Sequence, residues 1–391
     1  MRIIIVYVLI FWISLEFVCA QENGFTRDPA RAEFILEDLH RFWTAFDAME
    51  IRDENPFETY INSGTTGLQD FVPNRIVSAE NLLEKVRQRK ADYLKMRHFT
   101  FAPETMLPYY QKLKEWYPYV QFPPVYFVIG SFNSGGTASD RGLIIGVERL
   151  EDAANLPFLL IHESIHFQQN RLDRQYTLLE QAIVEGSADF LAELITGTLA
   201  NPTLYRYCEE HQDRLLREFV QEMDRFDYSG WLYNSGSEDR PKDIGYWVGY
   251  KIAASIYAKN TDKQLAINRI LNNTDYLTLM KESELFNEFL TPRVANVAPF
   301  PNDCGEVDAS LTELTLHFEQ PMHGSSFSPL REDQIAFPLV DIIGYSEDMK
   351  SFRLKIKLEP DKRYGFKVTG KGFKNELGYP LEDYEVRFST R

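Results

Sequence analysis

The run Leu156-Pro-Phe-Leu-Leu-Ile-His-Glu-Ser-Ile-His-Phe-Gln-Gln-Asn170 sets His162 and His166 four residues apart, with Glu163 beside the first, in an otherwise apolar stretch. Residues four apart share one face of a helix, with Cβ atoms about 5–6 Å apart, so two imidazoles at this spacing can converge on one zinc ion. Glu163 sits one residue round from His162, where its carboxylate reaches an attacking water and not the metal. Leu159, Leu160, Ile165 and Phe167 bury such a helix in a core and keep the site partly dry. The competing reading is a plain helix with two core or surface histidines. A charged Glu163 in a segment too apolar for a solvated face argues against it.

A catalytic zinc usually has three protein ligands and one open position, so a third ligand decides the matter. An extended H-E-x-x-H-x-x-G-x-x-H pattern would supply a third histidine, but Gln169 stands at the glycine position and Leu172 at the histidine position. The metzincin class is excluded. Downstream, Thr177-Leu-Leu-Glu-Gln-Ala-Ile-Val-Glu-Gly-Ser-Ala-Asp-Phe-Leu-Ala-Glu193 reads as a strong helix. Its Glu185 lies 19 residues past His166, enough for one helix to end, the chain to turn and a second helix to return a carboxylate to the metal. Asp189, four residues on, shares the face of Glu185. It is the candidate partner for the second ring nitrogen of His162, because zinc-bound imidazoles commonly donate their other N–H to a carboxylate. Glu180 competes as third ligand. It lies about 140° around the helix from Glu185 at 3.6 residues per turn, so both cannot face one ion, and the pairing with Asp189 favours Glu185.

His162, Glu163, His166, Glu185 and Asp189 together resemble the gluzincin class of zinc metallopeptidases, whose pattern is H-E-x-x-H, then a Glu near this distance and often an Asp four residues later. Gly135-Gly-Thr137, His162-Glu-Ser-Ile-His-Phe-Gln-Gln169, Glu185-Gly-Ser-Ala-Asp-Phe190 and Gly245-Tyr-Trp-Val-Gly-Tyr-Lys251 are similar to blocks in secreted bacterial zinc-dependent proteases. That resemblance spans most of residues 30–290 and implies a zincin-like arrangement, an active-site helix beside a small sheet. The aminopeptidase G-x-M-E-N motif is not found, which weighs against exopeptidase activity. Gluzincins usually add a Tyr or His donor that stabilises the oxyanion. Tyr246 is the first candidate, with Tyr250 four residues on; Tyr176 and His211 follow. Core packing of the two helical tyrosines explains them equally well.

Outward from these motifs, residues 28–118 are helical in pattern, clearest where Ile35, Leu39, Phe42, Phe46 and Met49 recur at three- and four-residue spacing. Val125 to Gly130 and Gly142 to Val147 read as strands joined by a flexible loop over 131–140. The loop either borders the cleft, its strand pairing with an extended peptide, or forms a plain surface hairpin. Helical periodicity returns near 155–171, 178–199, 209–226, 243–259 and 276–290. After Val297-Ala-Pro-Phe-Pro-Asn302, which reads as a linker, the period becomes two. Leu314, Leu316 and Phe318 alternate with polar neighbours, as do Phe352, Leu354, Ile356 and Leu358, then Tyr364, Phe366 and Val368, and finally Tyr384, Val386 and Phe388. Such strands indicate a small β-sandwich. Leu311-Thr-Glu-Leu-Thr-Leu-His-Phe-Glu-Gln-Pro-Met322 and Leu381-Glu-Asp-Tyr-Glu-Val-Arg-Phe-Ser-Thr390 resemble bacterial immunoglobulin-like modules. The expected architecture is α+β, with a mainly helical, zincin-like domain and small sheet over 21–300 and an Ig-like β-sandwich over 303–391.

The chain has 391 residues, 44% of them hydrophobic, ample for a buried core. Lys and Arg number 42 against 58 Asp and Glu, a formal charge of −16, and no basic run interleaves with aromatics, which excludes nucleic-acid binding. Residues 1–20 read as a secretory signal peptide: Arg2, an apolar run from Ile3 to Ile13, and cleavage after Ala20. The run is shorter than the ~20 residues of a membrane span, and no later stretch approaches that length. A secreted or periplasmic chain without a membrane span in its mature form is expected. Cys208 and Cys304 can pair in an oxidising compartment, though nothing in the sequence brings them together. The expected function is hydrolysis of a peptide or protein substrate by a zinc-activated water, with zinc on His162, His166 and Glu185 and with Glu163 as general base. The alternative is a catalytically silent cell-envelope binding or assembly protein that meets its partner through the C-terminal domain. Hydrolysis of a non-peptide amide would use the same site.

Overall fold

In the computed structural model, which describes residues 24–51, 53–150, 153–233 and 240–391, the chain divides into two units, the first ending at Leu285 and the second running from Phe286 to Arg391. The signal peptide expected over 1–20 lies outside the described residues. Among the described residues, no helix is long and apolar enough to cross a membrane. Cys208 and Cys304 both carry free thiols.

Four short strands of the first unit, Phe34–Ile35 (β1), Val125–Val128 (β2), Gly136–Ser139 (β3) and Gly142–Gly146 (β4), form a sheet in the order β1-β2-β4-β3. The first, second and fourth run parallel, and β3 turns back antiparallel to β4 with Gly136 opposite Ile145. Every residue of β2 and β4 is buried, as a continuous apolar run covered on both faces should be. The segment expected as a loop over 131–140 is not all loop: its second half is β3, which forms an antiparallel hairpin with β4, while β2 and β4 run as parallel neighbours. The strand Gly-Thr-Ala-Ser gives little sequence signal because Thr137 is its one β-branched residue, among small Gly, Ala and Ser.

Three helices build the core beside this sheet. The histidine helix spans Leu156–Gln168 with a proline in its first turn. The glutamate helix spans Leu178–Thr196; Thr177 and Glu180 form a capping box at its start, and Gly197 closes it at φ 76°. The tyrosine helix spans Ile244–Lys259. It crosses the glutamate helix so closely that a Cβ on Gly249 would collide with the Ala182 carbonyl. Each is buried on several faces, so none has the single apolar stripe of a surface helix. Two further helices, Pro202–Glu210 and Lys263–Asn272, fall outside the expected helical spans or only at their edge.

In the second unit, Val294–Ala298 pairs with Glu313–Phe318, so Val297 and Ala298 are ladder residues and the expected linker begins inside a sheet. The strands Leu339–Tyr345, Ser351–Ile356, Glu313–Phe318 and Val294–Ala298 make an antiparallel sheet in that order. A second sheet contains Arg363–Val368 and Tyr384–Thr390 at its centre. The two enclose one core, in which Leu314, Leu316, Leu354, Phe366 and Val386 are buried. The mixture of helical and strand units makes the chain α+β.

Candidate metal centre

The histidine and glutamate helices pack side by side, and the i, i+4 geometry of the first presents both imidazoles to the second. The Nε2 atoms of His162 and His166 are 2.9 Å apart. Glu185 Oε2 lies 3.1 Å from His166 Nε2 and 3.6 Å from His162 Nε2. Bonds of about 2.0–2.1 Å from a tetrahedral zinc put its ligand atoms about 3.3 Å apart, so this triangle fits the ion.

The neighbours of each ring support the same fit. Gln169 donates its amide N–H to the Val184 carbonyl at 2.8 Å and to the Ser187 hydroxyl at 3.0 Å, which turns its Oε1 toward His166. His166 Nδ1 sits 2.8 Å from that oxygen, so Nδ1 carries the proton and Nε2 keeps a lone pair. His162 Nδ1 is 2.8 Å from Asp189 Oδ1, short but off the straight hydrogen-bond line. A lone pair facing a carboxylate would be repelled, so this Nδ1 is protonated as well. Two imidazole lone pairs and a carboxylate oxygen thus converge in a buried place, an arrangement that a bound cation relieves. Burial alone would lower the His162 imidazole, and the Asp189 and Glu185 carboxylates more than reverse it. Burial alone would raise the Glu185 carboxyl, yet the adjacent imidazoles hold it well below the usual carboxylate range. The centre of the cluster favours positive charge.

The remaining oxygen of Glu185 accepts hydrogen bonds from Gln181 Nε2 at 3.0 Å and from the Tyr233 hydroxyl at 2.9 Å. Asp189 is held in turn by the Tyr205 hydroxyl at 3.0 Å. Glu163 is buried beside the triangle, and burial raises its carboxyl above the ordinary value while the imidazoles of His166 and His162 pull it back. β3 passes directly over it: a Cβ on Gly136 would collide with the Glu163 carboxylate. Only a residue without a side chain lets the strand lie there.

Tyr246 stacks loosely on His162, with 6.5 Å between ring centroids. Burial first, then the charge of Glu185, holds its hydroxyl protonated and available as a donor. The other two tyrosines singled out in the sequence, Tyr250 and Tyr176, have their hydroxyls engaged elsewhere. Tyr250 donates to Glu193, and the Tyr176 hydroxyl accepts from the Leu172 N–H. His211 stacks on Tyr207. Glu180, the rival ligand, is occupied by the helix cap and by Arg174. Gln169, Gln181, Tyr205 and Tyr233 were not anticipated as site residues. Gln169 had a signal, a polar residue three past His166, but Tyr233 comes from 48 residues beyond Glu185 and had none.

Residues 129–274 match the family described as "Predicted Zn-dependent protease (DUF2268)", a span that includes every site residue above and ends before the second unit. No curated protein matches the chain. Among solved structures, it is similar to "Structure of surface layer protein SbsC, domains 1-6" at 15% identity, covering 94% of this chain and 46% of that one with a TM-score of 0.21. It is also similar to "Crystal structure of the S-layer protein rSbsC(31-844)" at 12% identity, covering 91% and 45% with a TM-score of 0.20. The chain spans less than half the length of these two, and likeness at such scores carries no argument. The matched family is described as zinc-dependent, and His162, His166 and Glu185 form a cluster that could hold a metal ion.

Proposed function

We propose that the first unit is a gluzincin-type zinc peptidase that acts outside the cytoplasm, with zinc on His162, His166 and Glu185. The observation that carries this reading is the triangle of ligand atoms with a buried carboxylate, Glu163, beside it. Bound there, zinc would polarise the scissile carbonyl and lower the pKa of water toward 7. Glu163 takes a proton from the attacking water and hands it to the leaving amine. Its burial suits the task, since a raised carboxyl holds a proton more readily between the two steps. Asp189 and Gln169 fix the tautomer and tilt of the two imidazoles. Tyr246 is the proposed donor to the oxyanion. The free edge of β3 offers backbone groups to an extended peptide or protein substrate, as edge strands can.

The signal peptide over 1–20 would export the chain, and the second unit, read as Ig-like, would meet a cell-envelope partner. The test is metal analysis of purified protein beside cleavage of a mixed peptide library, with and without chelator. One zinc per chain and chelator-sensitive cleavage are expected, and Glu163→Gln should keep the zinc and lose the cleavage. Zinc bound with no turnover of any peptide would refute the peptidase and favour a silent envelope protein.

A further inference from the structure

Beside β3 lies a cleft of about 560 Å³ whose walls include Asp70, Asn74, Arg75, Thr137, Ser139 and Arg141. One wall is β3, which pairs on one side only among the described residues, and another is the segment that carries Arg75. The charges on these walls are unequally satisfied. Arg141 engages both oxygens of Asp70, one through Nε at 2.9 Å and the other through Nη2. Arg75 is half-buried, yet among the described residues no carboxylate or carbonyl accepts a hydrogen bond from its guanidinium; neither Asp70 nor Asp140, which also borders the cleft, is paired with it. In a chain with 58 acidic residues against 42 basic ones, a shortage of carboxylates does not explain this.

The backbone under Arg75 is held in an unusual form. Val72–Ile76 is a single π-helical turn, a form frequent at functional sites, and Val77 follows at φ 73° and ψ −59°. That conformation is strained for a β-branched residue, and Val77 gains no burial from it, being 65% exposed. Three contacts hold the turn: Val77 N–H to the Val72 carbonyl at 2.7 Å, Asn81 Nδ2 to the Ile76 carbonyl at 2.6 Å and Asn133 Nδ2 to the Arg75 carbonyl at 2.7 Å. The last ties Arg75 to the loop that leads into β3.

The cleft is also near the chemistry, since Thr137, which lines it together with Arg75, directly follows Gly136 on β3. Gly136 rests on Glu163, and Ser139 is three residues along β3, about 10 Å at strand spacing. We infer that Arg75 anchors a carboxylate of the peptide that lies along β3, within a few residues of the scissile bond, and so sets the specificity of the site. The inference rests on the peptidase reading above. An arginine fork binds a carboxylate in two parallel hydrogen bonds, whether it belongs to an Asp or Glu side chain or to the peptide's own C-terminus.

The experiment uses the full zinc-loaded chain as wild type, Arg75→Gln, Arg75→Lys and Arg75→Glu. The substrates are one peptide series with Glu, Gln or Lys at each of three positions either side of the cleaved bond, each made with a free and an amidated C-terminus. For the wild type, kcat/KM should favour a carboxylate at one position by about tenfold to a hundredfold, the worth of a charge-assisted hydrogen bond. The Glu-to-Gln ratio should fall to about one in Arg75→Gln, persist in part in Arg75→Lys and turn in favour of Lys in Arg75→Glu, an inversion that loss of folding cannot produce. Preference for a free over an amidated terminus, with Glu and Gln alike, assigns the carboxylate to the peptide end. Identical ratios in wild type and Arg75→Gln would overturn the anchor. If the wild type cleaves nothing, the peptidase reading falls separately. The anchor is then decided by fluorescence anisotropy of labelled Glu and Gln peptides, where equal binding to wild type and Arg75→Gln overturns it.

Discussion

The two units solve burial differently. Among the described residues, the buried acids Asp38, Glu148, Glu163, Glu185 and Asp189, together with His162, all belong to the first unit. The second unit buries Thr369, Asn375 and Thr390 but no charged side chain. Charge removed from water is costly unless it is partnered, and the unit that carries this cost is the one that holds the His162, His166 and Glu185 cluster. The second unit's core is instead built mainly of aliphatic and aromatic side chains, with a few neutral polar ones buried beside them.

The comparison can be broken most sharply at Glu163. Glu163→Gln should lower peptide cleavage by about a hundredfold to ten-thousandfold, the usual worth of a general base, while zinc stays near one per chain by metal analysis. Loss of zinc in step with activity would mean that Glu163 is a structural partner of the cluster. On the other side, Phe366 is fully buried, and Phe366→Ala should cost about 3–5 kcal/mol in denaturant melts. Zinc content should not change. A variant that emptied the metal site would erase the division of labour.

Glu148 offers a third test, because burial pushes its carboxyl up to about 7 and leaves its Oε2 without a partner. The folded chain keeps this proton at pH values where the unfolded chain, with an ordinary carboxyl near 4.5, has lost it. This group's contribution therefore falls as pH rises from about 4.5 to about 7 and is level above that, by about 3 kcal/mol at most. Glu148→Gln should remove that slope; parallel pH profiles for wild type and variant would contradict it. The smallest effects distinguish the two imidazoles. Asp189→Asn should weaken zinc binding about tenfold to a hundredfold in chelator competition, and Gln169→Leu should weaken it less, because a neutral amide supports its ring.

How much of this was legible in the sequence follows the same division. The alternation of Leu314, Leu316 and Phe318, or of Tyr364, Phe366 and Val368, is a local pattern, and those residues line the second unit's core. The spacing of His162, His166, Glu185 and Asp189 is also local to two helices, and they meet. Features that depend on distant chain segments were not legible. Tyr233 reaches Glu185 from outside both helices, Gln169 takes its role only because Val184 and Ser187 turn its amide, and β3 hides in a Gly-Thr-Ala-Ser run whose one strand-favouring residue is Thr137. The expected linker failed because Val294–Ala298 finds its partner in Glu313–Phe318, beyond the prolines that suggested a break.

The bare backbone of Gly136 directly above Glu163 makes one position outside the two site helices a place where the proposed enzyme would be silenced. One added methyl would meet the Glu163 side chain from its Cγ to its carboxylate ahead of any ligand, so on the proposed mechanism the ion would stay loaded while the proton carrier is displaced. An inhibitor that wedges under the same strand would imitate that methyl without competing for the metal.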